Sequence, residues 1–586
     1  TVAHFLTQCL FCFFAEDVGL LPARMFERLV GNRQITSERL TAGLDSLFVT
    51  MRDGGLYGPD DIPWFNGGLF RRIDVPKLEI LDITELRNAA GLNWSAIDVS
   101  IFGTLFERGL DPAKRSQLGA HYTGPATIRR LIEPVIERPL RGDWEREAAV
   151  LSALMAKSTR KGDKHHRAAR ERFVRWLERL KAYRVLDPAC GSGNFLFVGL
   201  KALKDIEHRC HLDAAALGLD READLVTGPH NVLGIELNEY AAELARVTVW
   251  IGELQWRLAH GYPFKTHPVL EALEHIECRD ALLDWSMAQA WGSDPDFAPR
   301  NSGSDPHPGP QDAAPRMASW PAADVVVGNP PFLGDRKMIR ELGEDYTTLL
   351  RSTYEGRVPG GADLVCYWFD KARAQMAAGQ LQRAGLVTTN SIRGGANRKV
   401  LDAICAQTRI FDAWSDEPWV NDGAAVRVSL VAFGSADQTS HLNGARADEI
   451  AADLTAHSGS EGCDLTQAQR LRANADASYI GTQKNGPFDI DHATAVQWLQ
   501  QPNPHGRSNA EVLRPWANGL DITRRPQDKW VVDFGCDTSQ AQAALYETPF
   551  AFVEREVKPN RTNVRRDFHR THWWLFGDAR PGLRRA

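Results

Sequence analysis

Apolar residues recur at helical spacing from the start of the chain, with Phe5, Cys9, Cys12 and Phe13 on one face. The same rhythm returns at Ile97, Ile101 and Leu105, and Gly54-Gly55, Gly58-Pro59 and Gly67-Gly68 punctuate the stretch between. This predicts an α-helical N-terminal domain over residues 1–118. Its most apolar run, His4 to Ala15, is interrupted by Thr7 and Gln8 and stopped by Glu16-Asp17. That is shorter than the ~20 residues a membrane helix needs, and no basic leader or cleavage site accompanies it. We read it as a buried helix and expect no membrane partner.

From about residue 119 the pattern changes. A basic helical stretch, His166 to Ala182, leads into a short strand, Tyr183 to Leu186, then a glycine-rich turn and a helix from Asn194. A second strand, Asn231 to Glu236, ends in a carboxylate and is followed by a helical run, Tyr240 to Leu258. Between Trp285 and Trp320 the chain is rich in Pro, Asp, Ser and Gly without apolar periodicity, so about 286–320 reads as a loop or insertion. Strand patterns return at Asp324 to Gly328, Ala384 to Thr389 and Val426 to Phe433. Alternation of strand and helix predicts an α/β domain with a parallel sheet over 119–440. Residues 441–586 form a linker and the start of a further domain.

Composition narrows the class. With 43% apolar and 25% charged residues the chain is an ordinary globular protein. Nine scattered cysteines suit a reduced, cytoplasmic protein rather than a disulfide framework. Cys9 and Cys12 have aromatic neighbours and no second Cys/His pair nearby, so they read as packing residues and no metal is assigned. The net charge of −6 requires any nucleic-acid surface to be local. One candidate is the segment from Glu554 onward, where nine basic residues face four acidic ones and Phe568, His569, Trp573 and Trp574 are interleaved. A solvated loop over core tryptophans explains that segment equally well.

The candidate chemistry sits at two turns. Asp187-Pro188-Ala189-Cys190-Gly191-Ser192-Gly193-Asn194 joins a strand to a helix, where doubly wound sheets bind nucleotides. Such a turn also serves NAD, FAD and structural bends, but this one carries neither a Gly-x-Gly-x-x-Gly nor a Gly-Lys-Ser/Thr phosphate cradle. Glu236, closing the next strand, can accept from ribose hydroxyls, so a nucleoside without a phosphate tail fits better. The second turn, Asn329-Pro330-Pro331-Phe332, directly follows Val325-Val326-Val327-Gly328. An Asn carboxamide oxygen and the Pro330 carbonyl can accept both protons of a planar exocyclic amine, the prolines stiffen the turn, and Phe332 can stack on the ring.

Taken together, Leu186 to Leu196 and Asn329 to Phe332 resemble the S-adenosylmethionine-dependent DNA amino-methyltransferases that modify adenine, in their gamma order. That resemblance implies a class I, Rossmann-like methyltransferase core. It implies that Asp187, Ala189, Gly191 and Gly193 line the methionine moiety, with Glu236 on the ribose, and that Cys190, Phe195 and Leu237 are also cofactor-binding. The segment Gly119 to Pro125 resembles the element bordering the methionine end, which makes Tyr122 and Thr123 candidates there. Cys278 to Leu282 resembles the element at the cofactor's adenine, with Asp280 at its amine and Ala281 beside its ring. Asn329, Pro330, Pro331 and Phe332 then correspond to the catalytic tetrapeptide.

A wider resemblance joins the chain to the large type IIL restriction–modification enzymes. It is carried by Phe14 to Pro22, Ser100 to Arg108, Asn390 to Gly395 and Asp422 to Ser429. It implies that the sequence begins within a helical spacer and ends near the start of a target-recognition domain. Duplex DNA is the implied partner; no Asp…Glu-x-Lys constellation stands out, so cleavage is not assigned to these residues, and the parent is either an enzyme with a nuclease domain or subunit outside them or a stand-alone defence methyltransferase. Two alternatives stand beside this reading: amide methylation of protein glutamine, whose substrate also presents a planar NH₂, and a non-catalytic DNA-binding or assembly subunit. A ring-carbon cytosine methyltransferase would need an activated thiol; no Pro-Cys dipeptide is present, and Cys190 lies in the cofactor loop. Arg393, Arg398 and Lys399, in a Gly-rich loop, are candidates for phosphate contact or simply an exposed basic loop.

Overall fold

The computed structural model describes residues 2–65, 68–99, 123–220, 224–264, 273–285, 316–421, 424–435, 439–457, 471–474, 477–519, 521, 526–562, 564 and 566–585. The chain divides into two compact units, Thr1–Gly462 and Cys463–Ala586.

In the first unit, α1 (Val2–Asp17), α2 (Met25–Gly31), α3 (Ser37–Asp53) and α4 (Ile80–Ala90) surround a core that includes Phe11, Phe26, Phe48 and Phe70. The spacing of Phe5, Cys9, Cys12 and Phe13 does place these residues inside, and Cys12 Sγ contacts Met51 Sδ at 3.6 Å. A small hairpin, β1 (Gly55–Tyr57) and β2 (Asp60–Ile62), follows α3. Ile97 lies in irregular chain, and Ile101 and Leu105 fall outside the described residues. No helix among the described residues is long and apolar enough to cross a membrane.

Next come α5 (Pro125–Ile132), α6 (Arg138–Met155) and α7 (Lys164–Ala182), then the elements of the sheet. These are β3 (Val185–Asp187), α8 (Asn194–Ala216), β4 (Val232–Glu236), α9 (Glu239–Ala259), β5 (Ile276–Cys278), the short pair β6 (Leu283–Asp284) and β7 (Arg316–Met317), and β8 (Val325–Gly328). Then α10 (Asp335–Leu342), α11 (Glu344–Thr353) and α12 (Val365–Ala377) precede β9 (Arg383–Thr389), α13 (Gly395–Cys405), β10 (Arg409–Asn421) and β11 (Ala424–Gly434). Strands β12 (Ser440–Leu442), β13 (Ala445–Ala447), β14 (Glu449–Ile450) and β15 (Ala456–His457) continue the same sheet beyond residue 440.

The main path runs β13-β12-β10-β11-β9-β8-β3-β4-β5. Strands β5, β4, β3, β8 and β9 are mutually parallel, and β3 and β8 are buried throughout, as strands covered on both faces must be. The strand order reverses between β3 and β8, which opens a crevice at their carboxyl ends. The sheet is not wholly parallel as expected: β11 runs antiparallel to both β9 and β10. The strand β10 escaped the sequence pattern because Asp412 and Pro418 interrupt its apolar alternation, and register shifts at Ile410/Asp412 and Trp414/Glu417 accommodate the irregularity.

The helical region and the sheet domain share contacts within this unit. On α1, Thr7 Oγ1 lies 3.4 Å from Tyr240 Oη of α9, and His4 Nδ1 pairs with Glu243 at 2.5 Å.

The second unit holds an antiparallel sheet, β16 (Asp489–Ile490), β18 (Lys529–Val532) and β17 (Leu513–Trp516), in the order β16-β18-β17. Its core contains Phe488, Trp573, Trp574 and Phe576. The tryptophans weighed as a nucleic-acid surface are therefore packing residues. Arg561 is also internal and donates to the carbonyls of Lys484, Asn485, Trp573 and Leu575 at 2.6 to 3.1 Å.

Candidate active site

The crevice between β3 and β8 is built by backbone geometry as much as by side chains. Asp187 ends β3 and is almost wholly buried; its Oδ1 accepts the Ala189 amide at 3.0 Å. Its Oδ2 is buried with no hydrogen-bond partner among the described residues. Burial pushes this carboxyl up to about 8; the Ala189 amide opposes the rise and the Glu236 charge adds to it. On the neighbouring strand, a Cβ at Gly328 would fall 2.5 Å from Asp187 Oδ1. Glycine is what lets the carboxylate rest against the β8 backbone one residue before Asn329.

The two glycines of the turn do different work, although both have positive φ. At Gly193 (φ +87°) a Cβ would lie 2.8 Å from Ala245 Cα, so this residue lets the start of α8 approach α9. At Gly191 (φ +50°) a Cβ would meet nothing within 4 Å. Gly191 therefore faces open space at the crevice, while its amide donates to Glu236 Oε2 at 2.9 Å. Glu236 Oε1 accepts the Asn238 amide at 2.9 Å. Burial raises the Glu236 carboxyl above its ordinary range, against the pull of these amides. Each carboxylate oxygen keeps a second lone pair for a ribose hydroxyl.

The remaining loop residues separate into those at the crevice and those behind it. Ala189 is half-buried beside the site, and Cys190 is buried with its amide bonded to the Ile235 carbonyl at 3.1 Å. Burial pushes the Cys190 thiol well up, so it is an inert packing group. Phe195 belongs to the hydrophobic core, and the Leu237 side chain is 64% exposed.

At the third turn, Asp280 Oδ1 accepts the Leu282 amide at 2.8 Å, and Oδ2 accepts Tyr346 Oη–H at 2.9 Å and Trp285 Nε1–H at 3.4 Å. Ala281 is buried and its carbonyl accepts Trp320 Nε1–H at 2.8 Å. The tetrapeptide follows β8: Asn329 is half-buried, Pro330 buried, and Pro331 and Phe332 half-buried, with Phe332 against the main core. Asn329 Nδ2 donates to Thr123 Oγ1 at 2.9 Å. This bond orients the amide and joins the segment before α5 to the tetrapeptide. Tyr122 lies outside the described residues.

Several supporting residues had no motif to announce them. Trp368 of α12 donates to the Pro188 carbonyl at 3.0 Å, and the Leu364 amide donates to the Leu333 carbonyl at 2.8 Å. Asp363 accepts Ser391 Oγ–H at 2.6 Å, Asn397 Nδ2–H at 2.7 Å and the Asp335 amide at 3.2 Å. The segment between β8 and α13 thereby braces both active turns. Two candidate phosphate contacts are already engaged inside the fold: Arg393 donates to the Asp453 carbonyl at 2.8 Å, and Arg398 is buried and pairs with Asp402 at 3.4 Å. Lys399 is exposed.

The sheet order, the Asp187–Gly193 turn, the acids at the carboxyl ends of β4 and β5 and the Asn-Pro-Pro-Phe turn after β8 define a class I S-adenosylmethionine-dependent methyltransferase domain. The residues fit that cofactor. Asp187 Oδ2, buried without a hydrogen-bond partner among the described residues, suits a cationic donor such as its ammonium group, and Gly191 leaves open space at the same turn.

Residues 162–443 match the family model of the MmeI DNA-methyltransferase domain, and residues 1–70 match that of the MmeI helicase spacer domain. Together these two matches cover more than half of the chain, which belongs to the MmeI-like family. DNA methyltransferase A of Bacillus subtilis (strain 168) is 26% identical over 469 residues, 74% of this chain and 46% of the relative. The chain thus spans about half the length of that curated relative. Among solved structures, the type IIL restriction–modification enzyme MmeI in complex with DNA superposes with a TM-score of 0.70 at 21% identity. That match covers 98% of this chain and 73% of the other and shows a shared fold.

Proposed function

We propose that the chain transfers a methyl group from S-adenosylmethionine to the exocyclic amine of a specific adenine in duplex DNA, within a restriction–modification or phage-defence system in the cytoplasm. The observation that carries this reading is the meeting of the two turns: Asn329, aligned by Thr123, directly follows the glycine that lies against Asp187. Residues 1–118 act as spacer, the methyltransferase runs from 119 past the expected boundary at 440 to the last strand of the main sheet, Ala456–His457, and the remainder acts as linker and first part of the target-recognition region.

When bound, the cofactor supplies an electrophilic methyl group on a sulfonium. Asp187, Ala189 and Gly191 form the methionine side of its site, with Cys190 and Gly193 holding the turn from behind; Thr123 borders it, Glu236 takes the ribose, and Asp280 and Ala281 take the adenine. The target base is flipped from the helix and stacked on Phe332. Asn329 Oδ1 and the Pro330 carbonyl accept its two amine protons, which raises electron density on the nitrogen and holds it in line for attack. Pro331 keeps the turn rigid. No covalent enzyme intermediate is required.

Incubation with methyl-labelled cofactor, unmethylated duplex DNA and a glutamine-containing peptide tests the reading. Label entering DNA and not peptide supports it; label entering the peptide favours amide methylation, and DNA binding without cofactor retention favours a non-catalytic subunit.

A further inference from the structure

The segment after the tetrapeptide returns to the adenine-side turn. Phe332 is followed after two residues by α10, and α10 by α11, which carries Tyr346. The α11 residue Arg351 pairs with Asp335 at the start of α10. Tyr346 gives its hydroxyl proton to Asp280 Oδ2 at 2.9 Å, and Tyr354, just beyond α11, gives its own to the Leu282 carbonyl at 3.1 Å. Asp280 and Leu282 are thus held by two phenols from the stretch that extends the tetrapeptide. Trp285 stacks on Tyr346, with centroids 6.2 Å apart and planes 27° apart, and donates to the same carboxylate oxygen.

We propose that Tyr346 is a positioning residue that sets the cofactor's base specificity through Asp280. The inference rests on the cofactor reading above. With Leu282 N–H on one oxygen and Tyr346 and Trp285 on the other, Asp280 is surrounded by donors. These donors fix the orientation of the carboxylate, a group that accepts hydrogen bonds. A purine bearing an amine at its 6 position offers a donor to that acceptor. A purine bearing a carbonyl there offers a second acceptor and is repelled. Removing the phenol hydroxyl leaves the carboxylate less firmly oriented, so discrimination between the two purines falls.

The test is calorimetric titration of the full chain with S-adenosylhomocysteine and with its inosyl counterpart, in which a carbonyl replaces the amine. Wild type should prefer the adenosyl ligand by about tenfold or more. Tyr346→Phe should lower that ratio by about two- to tenfold, mainly by weakening the adenosyl ligand. Asp280→Asn, which presents an amide donor, should move the ratio further toward the inosyl ligand. A Tyr346→Phe chain that loses both ligands equally, or neither, overturns the proposal, because a structural role would act on both. Wild type that binds the adenosyl ligand without preference overturns it while leaving the cofactor reading in place. Wild type that binds neither removes the cofactor reading itself.

Discussion

Gly191 and Gly193 offer a sharp test of the site because they look alike in sequence and differ in the fold. An alanine at either position must adopt a left-handed backbone, which costs about 1–2 kcal/mol. At Gly193 the new methyl also meets Ala245 Cα at 2.8 Å and its carbonyl oxygen at 3.0 Å, backbone atoms that cannot turn aside. Overpacking of that kind adds about 1–3 kcal/mol, giving roughly 2–5 kcal/mol for Gly193→Ala. With a urea dependence of about 3 kcal/mol per molar, the midpoint for the first unit should fall by about 1 M. Gly191→Ala has no such collision and should fall by about 0.5 M or less from strain alone. Cofactor affinity should respond in the opposite order, because the Gly191 methyl would project into the open space at the turn, where the proposed cofactor lies. Urea titration by tryptophan fluorescence and calorimetric titration of S-adenosylhomocysteine read the two effects. Equal destabilisation by the two variants, or undiminished affinity in Gly191→Ala, would refute the assignment of open space to the cofactor.

Three further outcomes follow from named contacts. Thr123→Val removes the acceptor of Asn329 Nδ2 and should slow methyl transfer by about 10–100-fold with little change in cofactor affinity; single-turnover kinetics would detect the difference. Without cofactor, Asp187 holds its proton to about pH 8, against an unfolded value near ~3.9. Its contribution to stability is therefore full below about pH 4 and is lost as pH rises toward 8, by up to about 5 kcal/mol. Asp187→Asn should flatten that slope in urea midpoints measured across the same range. Because the ammonium group of the cofactor favours the carboxylate, affinity should rise with pH up to about 8 in wild type and vary little in Asp187→Asn. Arg561→Leu strips the donor from four carbonyls in the second unit and should destabilise that unit by about 3 kcal/mol or more; hydrogen exchange at Trp573 and Leu575 would report it.

Much of the domain was legible because its central strands carry little besides apolar residues and end in unusual turns. Val325-Val326-Val327-Gly328 is buried on both faces, and the Asn-Pro-Pro run after it stops the strand at the crevice. The acids Glu236 and Asp280 were legible by their place after a strand. What sequence could not resolve was long-range pairing. Tyr346 lies 66 residues from Asp280 and Thr123 lies 206 from Asn329, and no local pattern ties such partners together. The glycines were equally opaque: nothing around Gly191 or Gly193 says which one faces a ligand and which one faces a helix. Tryptophan is ambiguous in the same way, since an interleaved basic and aromatic segment reads as a nucleic-acid surface until Trp573 and Trp574 are found inside a core. Strand β10 was hidden by Asp412, whose carboxylate is partnered by Arg138 at 3.3 Å, so a polar residue sits inside where the pattern required an apolar one.

The proposed role of Asn329 is to direct a methyl group to an adenine amine. The most direct measurement digests duplex DNA after incubation with this chain and labelled S-adenosylmethionine, and resolves the labelled nucleosides beside an Asn329→Ala control. N6-methyladenine in the wild-type reaction, and none in the variant despite retained cofactor binding, is the expected result; label in cytosine, or labelled adenine from the Asn329→Ala chain, would contradict the account.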